Sequence, residues 1–395
     1  MNTDAFPNQR ILPIDIFRGI TIFVMIFVNN VSSAKGMPAW IRHAAADADT
    51  MTFTDVVYPA FLFIVGMAIP FATQIRFSRG ASTSGVLVHS LIRGASLMLI
   101  GFFMVNTYWG WDAEKMLLPI SAWSLLMYLC FFLVWCHYPK TMQPNIKLAL
   151  QGLGIAGLIA LWWIYEGVDG QGMTTQWWGI IGQIGWAYVL ALPVYLVTQR
   201  LRFLAIAALV YFALFVLLDS IGAGNSNVML DWLYENRRNT THAGMVLMGA
   251  MMSQLIYHKE LRQNYLTNTL IFAAVTFVFA CIFWQVSPIS KIWGTPSWGL
   301  FSLFFCIISF LFLQWLIEVK QIKGWTFLFD PAANNSLLIY IIPFIVIAFL
   351  NLINIPVRPE FFSGGWLGAA WSIAFTIVIM LIGSVLSNSG IRLKL

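Results

Sequence analysis

The sequence predicts an all-α fold embedded in a membrane: a polytopic bundle of about 12 transmembrane helices (10–12 by apolar length), with both termini on the inner side. Three observations carry that expectation. Charged residues make up only 10% of the chain and hydrophobic ones 59%, with a mean hydropathy of +0.78. A soluble domain carries about 25% charged residues, and a water-facing surface cannot be built from so few. Apolar runs of bilayer length recur along the whole chain without the alternating pattern of barrel strands. Lysines and arginines fall unevenly between successive loops.

The apolar runs predict helices over 11–31, 54–74, 86–106, 116–136, 147–165, 177–198, 201–219, 242–257, 267–285, 296–319, 333–354 and 366–388. The junction between 198 and 201 is the tightest. The N-terminal segment MNTDAFPNQR is polar and lacks the apolar core of a signal peptide, so the first helix is expected to direct insertion itself. With the N-terminus inside and Arg93 set aside as intramembrane, fourteen Lys and Arg fall on the inner side, from Arg10 to Lys394, and seven on the outer. That ratio and the even helix count agree on N-in and C-in. One membrane domain, 1–395, is expected. The net charge of +6 is scattered singly through short loops, which is a topology signal and gives no stripe for nucleic acid. Trp and Tyr near the span ends, such as Trp109, Trp111, Trp162 and Trp163, fit an interfacial belt. Cys130, Cys136, Cys281 and Cys306 lie in or beside apolar runs, without metal-ligand spacing, and are expected to pack as small apolar residues. No metal site is expected.

Polar residues inside or at the edge of such a fold are costly and point to function or to ion pairing. In the first helix, Asp15 and Arg18 stand three apart on one face and can pair. They read either as an anchor closing the inner end of the helix or as an inner mouth that receives an anionic group through Arg18. Asn29 and Asn30 end the same helix, where two amides in succession can serve a carbonyl or another helix. His43 follows in an outer loop made acidic by Asp47, Asp49 and Asp55. A loop histidine is ordinarily a solvated surface residue. Here it precedes Thr52, Thr54 and Asp55 at the start of an intensely apolar helix, and a His–Asp pair at the edge of a membrane cavity can act as a general base. Asn334, Asn335 and Ser336 open a late apolar helix. They can cap it, or their groups can hold a phosphate or carbonyl. No Walker loop, HExxH or GxSxG motif occurs in the sequence.

RILPIDIFRGITIFVMIFVNN, the His43 loop, TFTDVVYPAFLFIVGMAIPFA, SKIWGTPSWGLFSLFFCIISFLFLQWLIEV and FDPAANNSLLIYIIPF together resemble the heparan-alpha-glucosaminide N-acetyltransferase family, within the wider membrane acyltransferases. The resemblance covers both ends of the chain, while 107–240 adds little. It implies transfer of an acetyl group from cytosolic acetyl-CoA, as donor substrate, to an amino sugar or glycan acceptor beyond the membrane. It also implies a cell (inner or plasma) membrane location. By position, His43 matches the family's catalytic histidine, Asp55 its second-helix aspartate, Asn30 its asparagine closing the first helix, and Asn335 with Ser336 its late Asn-Ser pair. With Asp15 and Arg18 these are the expected donor- and acceptor-binding residues. The chain departs from the family pattern between His43 and Asp55, in the fourth helix and near Pro343, which touches the acceptor side. Expected partners are the lipid bilayer, acetyl-CoA and the acceptor; a homodimer is compatible with the sequence. The alternative is a carrier of a sugar or amino sugar, whose helix count would be similar, although the two related halves common among transporters are not visible.

Overall fold

The computed structural model describes residues 6, 11–224 and 226–393; Arg10 and Lys394, counted above with the inner charges, lie outside them. The regular secondary structure of the described residues is helical, joined by turns and loops with isolated β-bridges such as Lys35 with Gly364. Its α-helices are α1 (Leu12–Val31), α2 (Phe53–Ser78), α3 (Thr83–Val105), α4 (Ile120–Trp135), α5 (Pro144–Trp163), α6 (Gly179–Val197), α7 (Leu201–Asp219), α8 (Val228–Glu235), α9 (Arg238–Tyr257), α10 (Tyr265–Trp284), α11 (Pro296–Gln314), α12 (Asp330–Asn334), α13 (Ser336–Leu352) and α14 (Gly365–Asn388).

Every one of the twelve apolar runs coincides with a helix, and 9 helices are long and apolar enough to cross a membrane among the described residues. The other three fall short for different reasons. Helices α4 and α13 are apolar but have 16 and 17 residues. Helix α9 is long enough, but Asn239, Thr240, Thr241, His242, Ser253 and Gln254 lower its hydropathy. Those residues are buried, as is every residue from Asn239 to Tyr257, so protein rather than lipid is the solvent of this helix. Helix α8 was not expected. Eight residues give no apolar period, and its start depends on Asn227, whose side chain accepts from Met229 N and Leu230 N.

The chain divides into two compact units. The first comprises 1–21, 38–94 and 184–326, and is organised around α9, with α2, α7, α10 and α11 against it. Helices α2 and α9 approach backbone to backbone. A Cβ at Gly66 would run into the Val246 carbonyl, and one at Gly249 into the Phe63 carbonyl, so only glycine permits this crossing. The second unit comprises 22–37, 95–183 and 327–395. Its core includes Trp123, stacked on Phe103 and donating from Nε1 to Leu161 O at 3.0 Å. The four cysteines are free thiols, with Cys130 and Cys306 buried.

Candidate functional site

Asp55 is the third residue of α2, and its carboxylate closes the start of that helix. Oδ2 accepts from Thr52 N (3.0 Å), Thr52 Oγ1 (3.1 Å) and Ala44 N (3.2 Å). A carboxylate serves the first turn of a helix well because the orphan N–H groups and the helix dipole both favour an anion there. The neighbouring Thr54 Oγ1 donates to Ile41 O at 2.6 Å, which sews the preceding loop onto the same helix start. With Oδ2 occupied, Oδ1 faces His43, whose Nδ1 lies 2.7 Å away. The Asp55 side chain is 1% exposed and that of His43 is 34% exposed. One buried acceptor therefore holds an imidazole whose opposite edge is open.

That geometry fixes the tautomer. The Asp55 oxygens receive donors on every side, as an ionised carboxylate does, so the bond to His43 is donated by Nδ1–H. Nε2 then carries the free lone pair.

The structure adds a residue that the sequence reading had counted only as an outer-side charge. Lys291 Nζ lies 2.9 Å from His43 Nδ1, 3.3 Å from His43 Nε2 and 3.8 Å from Asp55 Oδ1. The ammonium thus stands against the imidazole ring, nearer to Nδ1 than to Nε2, beside the Nδ1–Asp55 bond. The Lys291 side chain is 22% exposed. Burial pulls its ammonium down to about 8, and the Asp55 carboxylate resists that shift without cancelling it. Lys291 belongs to SKIWGTPSWGLF, one of the segments that carried the family resemblance; that was the available signal, and it gave no partner.

The loop 285–295 is fastened to the His43 loop at several points. Asp49 accepts from Trp284 Nε1 at 2.9 Å and from Ile289 N at 2.7 Å, and Ser290 Oγ donates to Ala46 O at 2.7 Å. A turn follows, in which Gly294 N donates to Lys291 O at 3.1 Å. Gly294 has φ +68°, and a Cβ there would press on the Cβ of Arg238, so the turn that presents Lys291 requires glycine. Beneath, Trp298 Nε1 donates to Asp55 O at 3.1 Å and stacks on Tyr58, whose hydroxyl is 3.4 Å from His242 Nδ1. His242 lies in the first turns of α9. It is 2% exposed and packs edge-on against Tyr58 and Trp298, so it forms part of the floor under the site.

His43, Asp55 and Lys291 thus meet within the first unit. Asp15 and Arg18 of the same unit form the expected pair, Arg18 Nη1 donating to Asp15 Oδ1 at 3.1 Å. Asn30, Asn335 and Ser336 belong to the second unit. The Asn30 Oδ1 accepts from Arg358 Nη2 at 2.9 Å and from Ser372 Oγ at 2.8 Å. Asn335 Nδ2 donates to Ser387 Oγ at 3.2 Å and Ile391 O at 2.9 Å, tying the C-terminal residues to the α12–α13 junction. Its side chain makes no cap bond to α13, and Ser336 Oγ donates back to Ala332 O. In this structure these three side chains are engaged in internal bonds.

These features define a multi-pass helical membrane protein with a His–Asp–Lys cluster at the start of one helix. The chain belongs to the DUF5009 family, a domain of unknown function, whose profile matches residues 10–237 and so takes in His43 and Asp55 but stops short of Lys291. Part of the chain is also similar to heparan-alpha-glucosaminide N-acetyltransferase from Homo sapiens (33% identical over 97 residues, 25% of this chain) and from Mus musculus (31% over 98 residues, 25%). Each match covers 14% of the relative's length.

Proposed function

We propose that this protein is a transmembrane acyltransferase of the cell membrane. In this reading it moves an acetyl group from cytosolic acetyl-CoA to the amine of an amino sugar or glycan on the outer side, with both termini inside. One observation carries the reading: a half-exposed imidazole is held by a buried carboxylate through Nδ1, so that Nε2 is a base. The named activity of the partial relatives supports the same class.

An amine acceptor is an ammonium at neutral pH and must lose a proton before it can attack a thioester. A neutral imidazole is the side chain best matched to that task near pH 7. The acceptor nitrogen would approach Nε2 and surrender a proton there. Its lone pair then attacks the acetyl carbonyl, the N–C bond forms and the C–S bond breaks; the proton held on Nε2 passes to the departing thiolate, and the second proton lost by the nitrogen is taken by the freed Nε2 and released to water. Asp55 keeps the imidazole in the required tautomer and offsets the imidazolium charge while it lasts. The Lys291 ammonium, displaced by little, stands beside the carbonyl oxygen as negative charge develops on it.

The test is transfer of labelled acetyl from acetyl-CoA to a panel of amino sugars by the purified protein. Loss of a general base costs roughly 10²–10⁴-fold in rate, so His43→Ala should lose most turnover while remaining folded. Wild-type rates in that variant, or no acetylated amine with the wild-type protein, would overturn the reading.

A further inference from the structure

An amine of the same chain stands against His43. Lys291 Nζ stands within 3.3 Å of both ring nitrogens. The loop behind it is fastened through Asp49 and Ser290, so the contact does not depend on a freely rotating surface side chain. We propose that Lys291 is an acylation site: an activated amine that captures an acyl group from a thioester or an activated ester reaching His43, closing the site by forming an amide.

The chemistry needs no further reactant. The neutral amine attacks the acyl carbonyl carbon, the new N–C bond forms, and the bond to the leaving group breaks. The proton released from Nζ passes to His43 Nε2 and from there to the departing thiolate, so that amine and thioester become amide and thiol. Unlike the thioester, the amide is a poor acyl donor, so the capture is a dead end. It removes the lysine charge, leaves the Asp55 carboxylate without that counter-ion, and puts an acyl group over Nε2.

The same geometry bears on how the proposed reaction proceeds. An acetyl-imidazole formed on His43 would lie beside a competing amine, and the acetyl group would be lost to it whenever that amine was neutral. Direct transfer, with His43 as base only, avoids that loss. Asp55 restrains the capture because its charge favours the ammonium form of Lys291, which has no lone pair. Burial acts the other way. Near pH 7 an amine titrating near 8 holds roughly 10% of the neutral form, against well below 1% for an ordinary lysine. Even after its lower intrinsic nucleophilicity, an excess on the order of tenfold in acylation rate is expected.

The sequence has nine lysines, which supplies internal controls. The full chain in detergent is treated at pH 7 with acetyl N-hydroxysuccinimide ester, which needs no CoA site, and separately with acetyl-CoA. Peptide mass spectrometry then follows acetylation at each lysine. With the ester, Lys291 is expected to be acetylated about tenfold faster than Lys35 or Lys115. Labelling of Lys291 no faster than those loop lysines would overturn the proposal. The acetyl-CoA arm examines the acyltransferase reading on which the thioester route rests. Selective labelling by the ester with none by acetyl-CoA keeps the activated amine and removes acetyl-CoA as its donor. Lys291→Arg assigns the labelled peptide.

Discussion

Asp55→Asn changes one atom and should disturb four partners, Ala44, Thr52, His43 and Lys291. In the wild type, Oδ2 serves two backbone N–H groups and the Thr52 hydroxyl, and Oδ1 serves His43 Nδ1 with Lys291 Nζ 3.8 Å away. An asparagine keeps the helix-start bonds only by placing its carbonyl at the Oδ2 position. Its NH₂ group then faces His43 Nδ1, which must accept, and the imidazole takes the other tautomer. Nε2 becomes N–H and loses the lone pair that would accept a proton. A bond to a charged acceptor contributes about 1.5–3 kcal/mol and a neutral one about 0.5–1.5. Two weakened backbone bonds, the altered histidine bond and an uncompensated ammonium therefore sum to about 2–4 kcal/mol. In a chain of 395 residues that is a fall of about 2–5 °C in Tm, read by thermal unfolding in detergent. Because Nε2 no longer accepts a proton, turnover should fall by roughly 10²–10⁴-fold, as for loss of the base itself. Asp55→Asn,Lys291→Met should recover part of the stability but none of the rate, since it relieves the ammonium without restoring the tautomer. A single variant with unchanged Tm and less than a tenfold loss of rate would refute the idea that Asp55 holds His43.

Lys291 also sets a pH dependence of stability. Its folded pKa, about 8, lies below that of an unfolded lysine, so between those values the unfolded state binds more protons. Stability due to this group therefore rises with pH from about 8 to about 10, and below 8 its burial costs about 3 kcal/mol in full. Lys291→Met should accordingly raise Tm at pH 7 and lose that advantage toward pH 10; an advantage that does not change with pH would contradict this account. For topology, Lys35→Cys reports on the loop that follows α1 and Arg79→Cys on the C-terminal end of α2. An impermeant thiol reagent should label position 35 and spare position 79 in intact cells, and the reverse would invert the proposed orientation.

The difference between what the sequence made legible and what it hid follows the range of the interaction. Apolar length specifies a helix locally, so all twelve runs found their helices, although α9, expected as a span, is too polar to stand among the 9 described helices apolar enough to cross a membrane. Helix α8 escaped because an eight-residue helix is decided by its Asn227 cap rather than by period. The His43–Asp55 pair was legible because twelve residues separate the partners and the start of α2 demands an acceptor. By contrast, Lys291 is 248 residues from His43, and Arg358 is 328 residues from Asn30. No local rule joins such distant positions. The acidic loop shows how a correct observation can carry the wrong emphasis. Asp47, Asp49 and Asp55 were read together as the surroundings of His43, yet the three part ways. Asp55 holds the imidazole and Asp47 is exposed. Asp49, with φ 42°, turns its carboxylate to Trp284 and Ile289 N. Its contribution to the site is therefore mechanical: it fixes the loop that sets Lys291 against His43. Charge in a loop reveals that an anion is wanted nearby, and only the fold decides whether that anion meets a proton, a helix start or a tryptophan N–H.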